Sequence, residues 1–233
     1  MTDDEIILNL WKQTKRTGTY KLINWLKKSD FFIAPSSTKF HGSIPGGLTK
    51  HSLNTYALLK QKVEDYKLEK LIPHESIIVT SLGHDLCKVG VYSKDTRQIT
   101  EKQIYKLKAV SGKNFSDYNI KELTITKASS LIDWEQNGRI GEKPNDDGYE
   151  MKENFPIGHG EKSVFLLQQF ITLTEQEALA IRWHMALFDF AVQASKYPTG
   201  YAYKDAIKKH VLVQLFMIVD LEASLLLERE WDK

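Results

Sequence analysis

The sequence predicts a mostly α protein, a bundle of helices enlarged by one small β-containing insertion. Three observations lead there. Apolar residues recur at helical spacing on both sides of residues 91–156. The 91–156 stretch breaks that period with alternating, Thr-rich pieces and turn signals. The chain has 233 residues, 42% apolar, 27% charged and 11% aromatic, enough for a packed core and unlike a disordered composition.

In chain order, Ile6, Ile7, Leu10 and Trp11 mark a first amphipathic helix. Leu22, Ile23, Trp25 and Leu26 mark a second after the breaker Thr17-Gly18-Thr19, so residues 1–35 read as N-terminal helices. Asp30 to Gly47 reads as loop, with Pro35, Pro45 and Gly46-Gly47. A long helix is expected from about Leu48 to Tyr66. Pro73 opens the next, whose apolar run Ile77, Ile78, Val79, Leu82, Leu86 and Val89 stops at Gly90. Within 91–156, Glu122-Leu123-Thr124-Ile125-Thr126 alternates like a strand, and Asn137-Gly138 and Pro144 to Gly148 signal turns. An insertion with β-hairpin character is expected there. Helices resume over Ser163 to Ile171, then after Thr174, where Glu177 completes a capping-box pattern. A last helix is expected from about Lys204 to Glu230. The whole reads as one domain over 1–233, with 36–90 and 157–233 as its helical core.

Lys plus Arg number 32 against 30 for Asp plus Glu, a net charge of +2, which disfavours a strongly basic nucleic-acid clamp. The single cysteine, Cys87, allows no internal disulfide and suits a reducing compartment. The N-terminus is acidic where a signal peptide is basic, and no apolar run approaches the roughly 20 residues of a membrane span. A soluble cytoplasmic protein without a membrane partner is the expectation.

Chemistry concentrates in the histidines. His84-Asp85 ends an apolar run, and burying such a pair is costly unless it is satisfied. Asp220 stands in Phe216-Met217-Ile218-Val219-Asp220-Leu221, with no Lys or Arg three or four residues away. A carboxylate in that setting needs a cation from elsewhere in the fold. Imidazole and carboxylate together suit divalent first-row metals.

The order His51, His84-Asp85, His159, His184, Asp220 resembles the HD-domain metal-dependent phosphohydrolase superfamily over about residues 40–225. The flanks carry the likeness: Gly46-Gly47-Leu48 before His51-Ser52, then His84-Asp85-Leu86-Cys87-Lys88-Val89-Gly90, then Gly158-His159. The nearest branch includes HD-type 3′→5′ exoribonucleases and related small hydrolases. The resemblance implies an HD-type helical bundle and one or two divalent ions (Mn, Fe, Ni, Co, Zn or Mg). It assigns His51, His84, Asp85 and Asp220 to a first ion and His159 and His184 to a second, with Asp85 bridging. Two departures stand out: Cys87 replaces a frequent Gly, and His184 is single where many members have consecutive histidines.

The implied activity is hydrolysis of a phosphoester of a nucleotide or nucleotide-derived substrate by metal-activated water, with Asp85 at the reacting centre. A 3′→5′ exonuclease, a cyclic-nucleotide phosphodiesterase and a non-catalytic nucleotide-binding module are the alternatives. Lys88, one helical turn after His84, is expected to contact phosphate. Arg182 and Lys162 are further substrate-binding candidates, and His41 is a candidate proton donor to the leaving group. A small molecule is favoured over a long nucleic acid because the net charge is weak.

Overall fold

The computed structural model describes residues 1–38, 42–140, 143–144, 148–185 and 199–228. Helix α1 (Asp3–Gln13) starts at a capping box: Glu5 N–H donates to Thr2 Oγ1, and Thr2 N–H donates to the Glu5 carboxylate. It buries Ile7, Leu10 and Trp11, and α2 (Thr19–Lys28) buries Leu22, Ile23 and Leu26. Gly18 joins them at φ +92°, where a Cβ would lie 1.8 Å from the Phe170 carbonyl oxygen, so only glycine fits.

α3 (Gly47–Asp65) and α4 (His74–Gly83) follow and pack together. The Gly46-Gly47 pair has a steric reason: Gly46 sits at φ +76°, and a Cβ on Gly47 would lie 1.9 Å from the Gly42 carbonyl oxygen. Residues 76–83 of α4 are all buried, which explains why its apolar run shows no single polar face. Trp11, Leu26, Phe31, Leu48, Ile78, Leu82, Leu86 and Leu167 share one core. A second core contains Leu59, Ile72, Trp183, Leu212 and Phe216.

The expected helix through Val89 stops early. α4 ends at Gly83, Asp85 leaves helical geometry (φ −107°, ψ 18°), and Leu86–Lys88 form a 3₁₀ turn. Residues three apart eclipse in such a turn, so Lys88 lies over Asp85 rather than sharing an α-helical face with His84.

The 91–156 segment is more helical than its sequence suggests. α5 (Glu101–Ser111) and α6 (Ile125–Gln136) dominate it and enclose their own core of Leu107, Tyr118, Leu123, Ala128, Leu131 and Ile132. The alternating Glu122–Thr126 piece is not a strand: Thr124 is the N-cap of α6, accepting from Lys127 N–H. Asn137-Gly138 ends α6, Gly138 at φ +74°, instead of turning a hairpin. The β structure comes from the segment's two ends. β1 (Tyr92–Lys94) pairs antiparallel with β2 (Tyr149–Met151), Ser93 opposite Glu150. Asp95 fastens this neck to α6, accepting from Arg97 N–H and Nε and from Thr126 N–H and Oγ1 at 2.6–3.0 Å.

α7 (His159–Gln168) and α8 (Glu175–Trp183) return to the core, α8 with the capping box expected at Thr174 and Glu177. The single C-terminal helix expected over Lys204–Glu230 is instead two, α9 (Thr199–Lys209) and α10 (Val211–Glu222). The axes bend by 105° at an extended His210. The corner lays α10 against α3 and α8, and a π-type turn over Ala223–Leu227 ends it. Residues 229 and 230 lie outside the described residues. Among the described residues no single helix is long and apolar enough to cross a membrane.

One partly buried ion network, absent from the sequence reading, ties these parts. Arg16 donates through both terminal nitrogens to the Glu177 carboxylate at 2.7 Å and also pairs with Glu75. Ser76 Oγ donates to the same carboxylate at 2.7 Å.

Candidate metal centre

Four elements deliver polar side chains to one buried place. His51 projects from the first turns of α3, His84 and Asp85 from the end of α4, His184 from the end of α8, and Asp220 from α10. All five are less than 9% exposed. His159, the first residue of α7, completes the group with a half-exposed side chain. α7 meets α8 closely because Gly160 has no Cβ, which would lie 2.3 Å from the Arg182 carbonyl oxygen.

Asp85 sits at the centre and turns one oxygen to each side. Its Oδ2 lies 3.4 Å from His84 Nε2, 3.6 Å from His51 Nε2 and 2.5 Å from Lys88 Nζ. Its Oδ1 lies 2.8 Å from His159 Nε2 and 3.6 Å from His184 Nε2. Asp220 Oδ1 lies 3.1 Å from His51 Nε2 and 3.7 Å from His84 Nε2.

The ring tautomers follow from the partners. His84 Nδ1 faces the Ser81 carbonyl at 2.8 Å and His184 Nδ1 the Ile181 carbonyl at 2.7 Å. A carbonyl only accepts, so each Nδ1 carries the proton and, in the neutral ring, each Nε2 turns a lone pair inward. His51 Nδ1 likewise faces the Glu228 carboxylate at 3.0 Å, and its Nε2 meets His84 Nε2 at 3.1 Å. Two inward lone pairs at that distance require a proton or a cation between them. Among the described residues, His184 Nε2 is buried without a hydrogen-bond partner.

Charge makes the same demand. Asp85, Asp220 and Glu228 bring three carboxylates to the imidazoles, and Lys88 pairs with Asp85. Burial works against charge on His51, but Asp220 and Glu228 overcome it and hold the ring protonated up to about 10. Burial lowers the pKa of His84 and of His159, so both favour the neutral, ligating form. Burial opposes ionisation of Asp85 and Asp220, yet Lys88 and the histidines around Asp85, and His51 beside Asp220, hold both carboxyls well below their usual range. Burial opposes charge on Lys88 also, and Asp85 keeps it protonated.

These groups can hold a metal ion. His51, His84 and Asp220 form one set of mutually close donors, His84, Asp85 and His184 another, and Asp85, Cys87 and His159 a third. The donor chemistry fits: imidazoles whose other nitrogens are held by carbonyl or carboxylate, beside the buried carboxylates of Asp85 and Asp220.

All six residues proposed as ligands from the sequence therefore converge. Lys88 reaches the same centre through Asp85. The other two cations are engaged elsewhere: Lys162 Nζ donates to Glu153 at 2.7 Å, while Arg182 pairs with Glu161 and covers the Trp183 ring. His41 lies outside the described residues. The sequence reading missed Glu228, whose carboxylate accepts from His51 Nδ1 and from Asn54 Nδ2 at 2.9 Å. Burial and Asp85 push the Cys87 thiol up to about 12, and its sulfur touches the His159 ring. No family model matches the chain, and no curated protein or solved structure matches it.

Proposed function

We propose that this centre is the active site of a metal-dependent phosphohydrolase of the HD-domain kind, hydrolysing a phosphoester of a nucleotide or nucleotide-derived molecule. One observation carries the reading. Inward-facing imidazole nitrogens surround two buried carboxylates beside the buried Lys88 ammonium. A divalent ion bound there would bring a coordinated water toward neutrality in pKa and polarise a phosphoryl oxygen.

The chain's own residues do the rest. Asp85 bridges the two halves of the donor set and fixes Lys88 through its Oδ2. Lys88 holds a positive charge beside the reacting centre, where negative charge on phosphate oxygens grows in the transition state. His159 stands at the open edge, 37% exposed where His51, His84 and His184 are not, so substrate approaches from its side. Glu228 and the Ser81 and Ile181 carbonyls keep the rings oriented.

The test is a screen of nucleoside mono-, di- and triphosphates, cyclic nucleotides and short oligonucleotides, with Mn and other divalent ions. Turnover of at least one class, lost in Asp85→Ala with helical content retained, is the expected result. No hydrolysis anywhere in the panel, or full activity in Asp85→Ala, rejects the enzyme reading.

A further inference from the structure

Cys87 occupies the one position of the His84-Asp85-Leu86-Cys87-Lys88 run where this chain brings sulfur to the centre. It is 4% exposed, and its backbone N–H donates to Ser163 Oγ at 3.0 Å, which anchors the 3₁₀ turn against α7. The anchored sulfur stands 3.3 Å from His159 Nε2, and that nitrogen stands 2.8 Å from Asp85 Oδ1. The His184 ring, 2% exposed, turns an Nε2 with no hydrogen-bond partner among the described residues to the same Oδ1 at 3.6 Å.

We infer that Cys87 is a metal ligand, so that Asp85 Oδ1, His159 and the Cys87 sulfur form a mixed oxygen, nitrogen and sulfur subsite. The inference rests on the metal-centre reading and adds to it the identity of a donor and the class of ion. A four-coordinate zinc-like ion holds sulfur at about 2.3 Å and nitrogen or oxygen at about 2.0–2.2 Å, which sets its donors roughly 3.4–3.6 Å apart. The separations of 2.8 Å between His159 Nε2 and Asp85 Oδ1 and 3.3 Å between His159 Nε2 and the Cys87 sulfur lie near that spacing. Coordination replaces the S–H bond by a metal–sulfur bond, and the thiol proton leaves to solvent at the exposed edge of His159. A thiolate selects borderline ions such as zinc, cobalt or ferrous iron over magnesium. The subsite on the other side of Asp85, with His51, His84 and Asp220, has only nitrogen and oxygen donors among these residues.

The full chain, stripped of metal and titrated with Co(II), tests this directly because Cys87 is its only cysteine. The expected result is a thiolate-to-cobalt charge-transfer band in the near ultraviolet, present in the wild type and lost in Cys87→Ser and Cys87→Ala. Both variants should still bind cobalt through the remaining donors. X-ray absorption of the zinc-loaded wild type should resolve one sulfur at about 2.3 Å. Cobalt or zinc bound with no charge-transfer band and no sulfur overturns the role of Cys87 and leaves the metal centre standing. No bound ion at all overturns both.

Discussion

Arg16→Ala removes the only cation that faces the Glu177 carboxylate at hydrogen-bonding distance among the described residues. The Glu177 side chain is 0% exposed and keeps Ser76 Oγ and Thr174 N–H as donors, so it loses two charged bonds of 2.7 Å and retains two neutral ones. Leaving one member of a buried pair uncompensated costs about 3–5 kcal/mol. At roughly 2–4 °C per kcal/mol for a chain of this size, the expected loss in Tm at pH 7 is on the order of 6–20 °C.

The pH dependence fixes the cause. In the wild type, burial tends to raise the Glu177 pKa, but Arg16 and the other donors hold it below the usual value. Its stabilisation is therefore present above an unfolded pKa of about 4.3 and lost as pH falls through the lower folded value. In Arg16→Ala burial dominates, the folded pKa rises above the unfolded one, and the penalty grows as pH climbs through it. The gap between variant and wild type should thus narrow from pH 7 to pH 4. Urea unfolding followed by circular dichroism at both values measures it. A difference under about 1 kcal/mol at pH 7, or one that does not change with pH, refutes the reasoning.

Two further outcomes are expected. Glu228→Gln keeps a side chain against His51 and Asn54 but removes a charge, so divalent-ion affinity should fall by about 10–100-fold with little change in Tm. Calorimetric titration against wild type checks this, and unchanged affinity would remove Glu228 from the centre. Asp95→Asn should loosen the neck of the insertion. Amides of α6 should exchange faster by hydrogen–deuterium measurement, while α3 and α4 stay protected. Burial raises the Asp95 pKa less than its bonds to Arg97 and Thr126 lower it, so wild-type protection of α6 should persist above about pH 4 and weaken below it.

Helices with local signals could be read from the sequence. α1 and α3 show apolar periodicity, and α8 carries its capping box in Thr174 and Glu177. Breaks dictated by distant packing could not be read. Nothing local stops a helix at Asp85 or at His210, where the chain instead turns to bring Lys88 over Asp85 and α10 against α3. Thr124 misled because a β-branched residue in an alternating piece also serves as an N-cap. The centre was legible through burial of polar residues in apolar runs, as at His84-Asp85 and Asp220. Glu228 was not, since its approach to His51 spans 177 residues and depends on the π-type turn before it. The Arg16–Glu177 pair, 161 residues apart, was hidden for the same reason.

The most direct test of the centre is equilibrium dialysis of the metal-free chain against Mn(II) and against Zn(II), alongside Asp85→Ala. Asp85 turns one oxygen to each half of the donor set. The wild type should hold at least one equivalent of ion, and Asp85→Ala should hold none while remaining helical. Less than about half an equivalent in the wild type, or equal binding by the variant, would contradict the account.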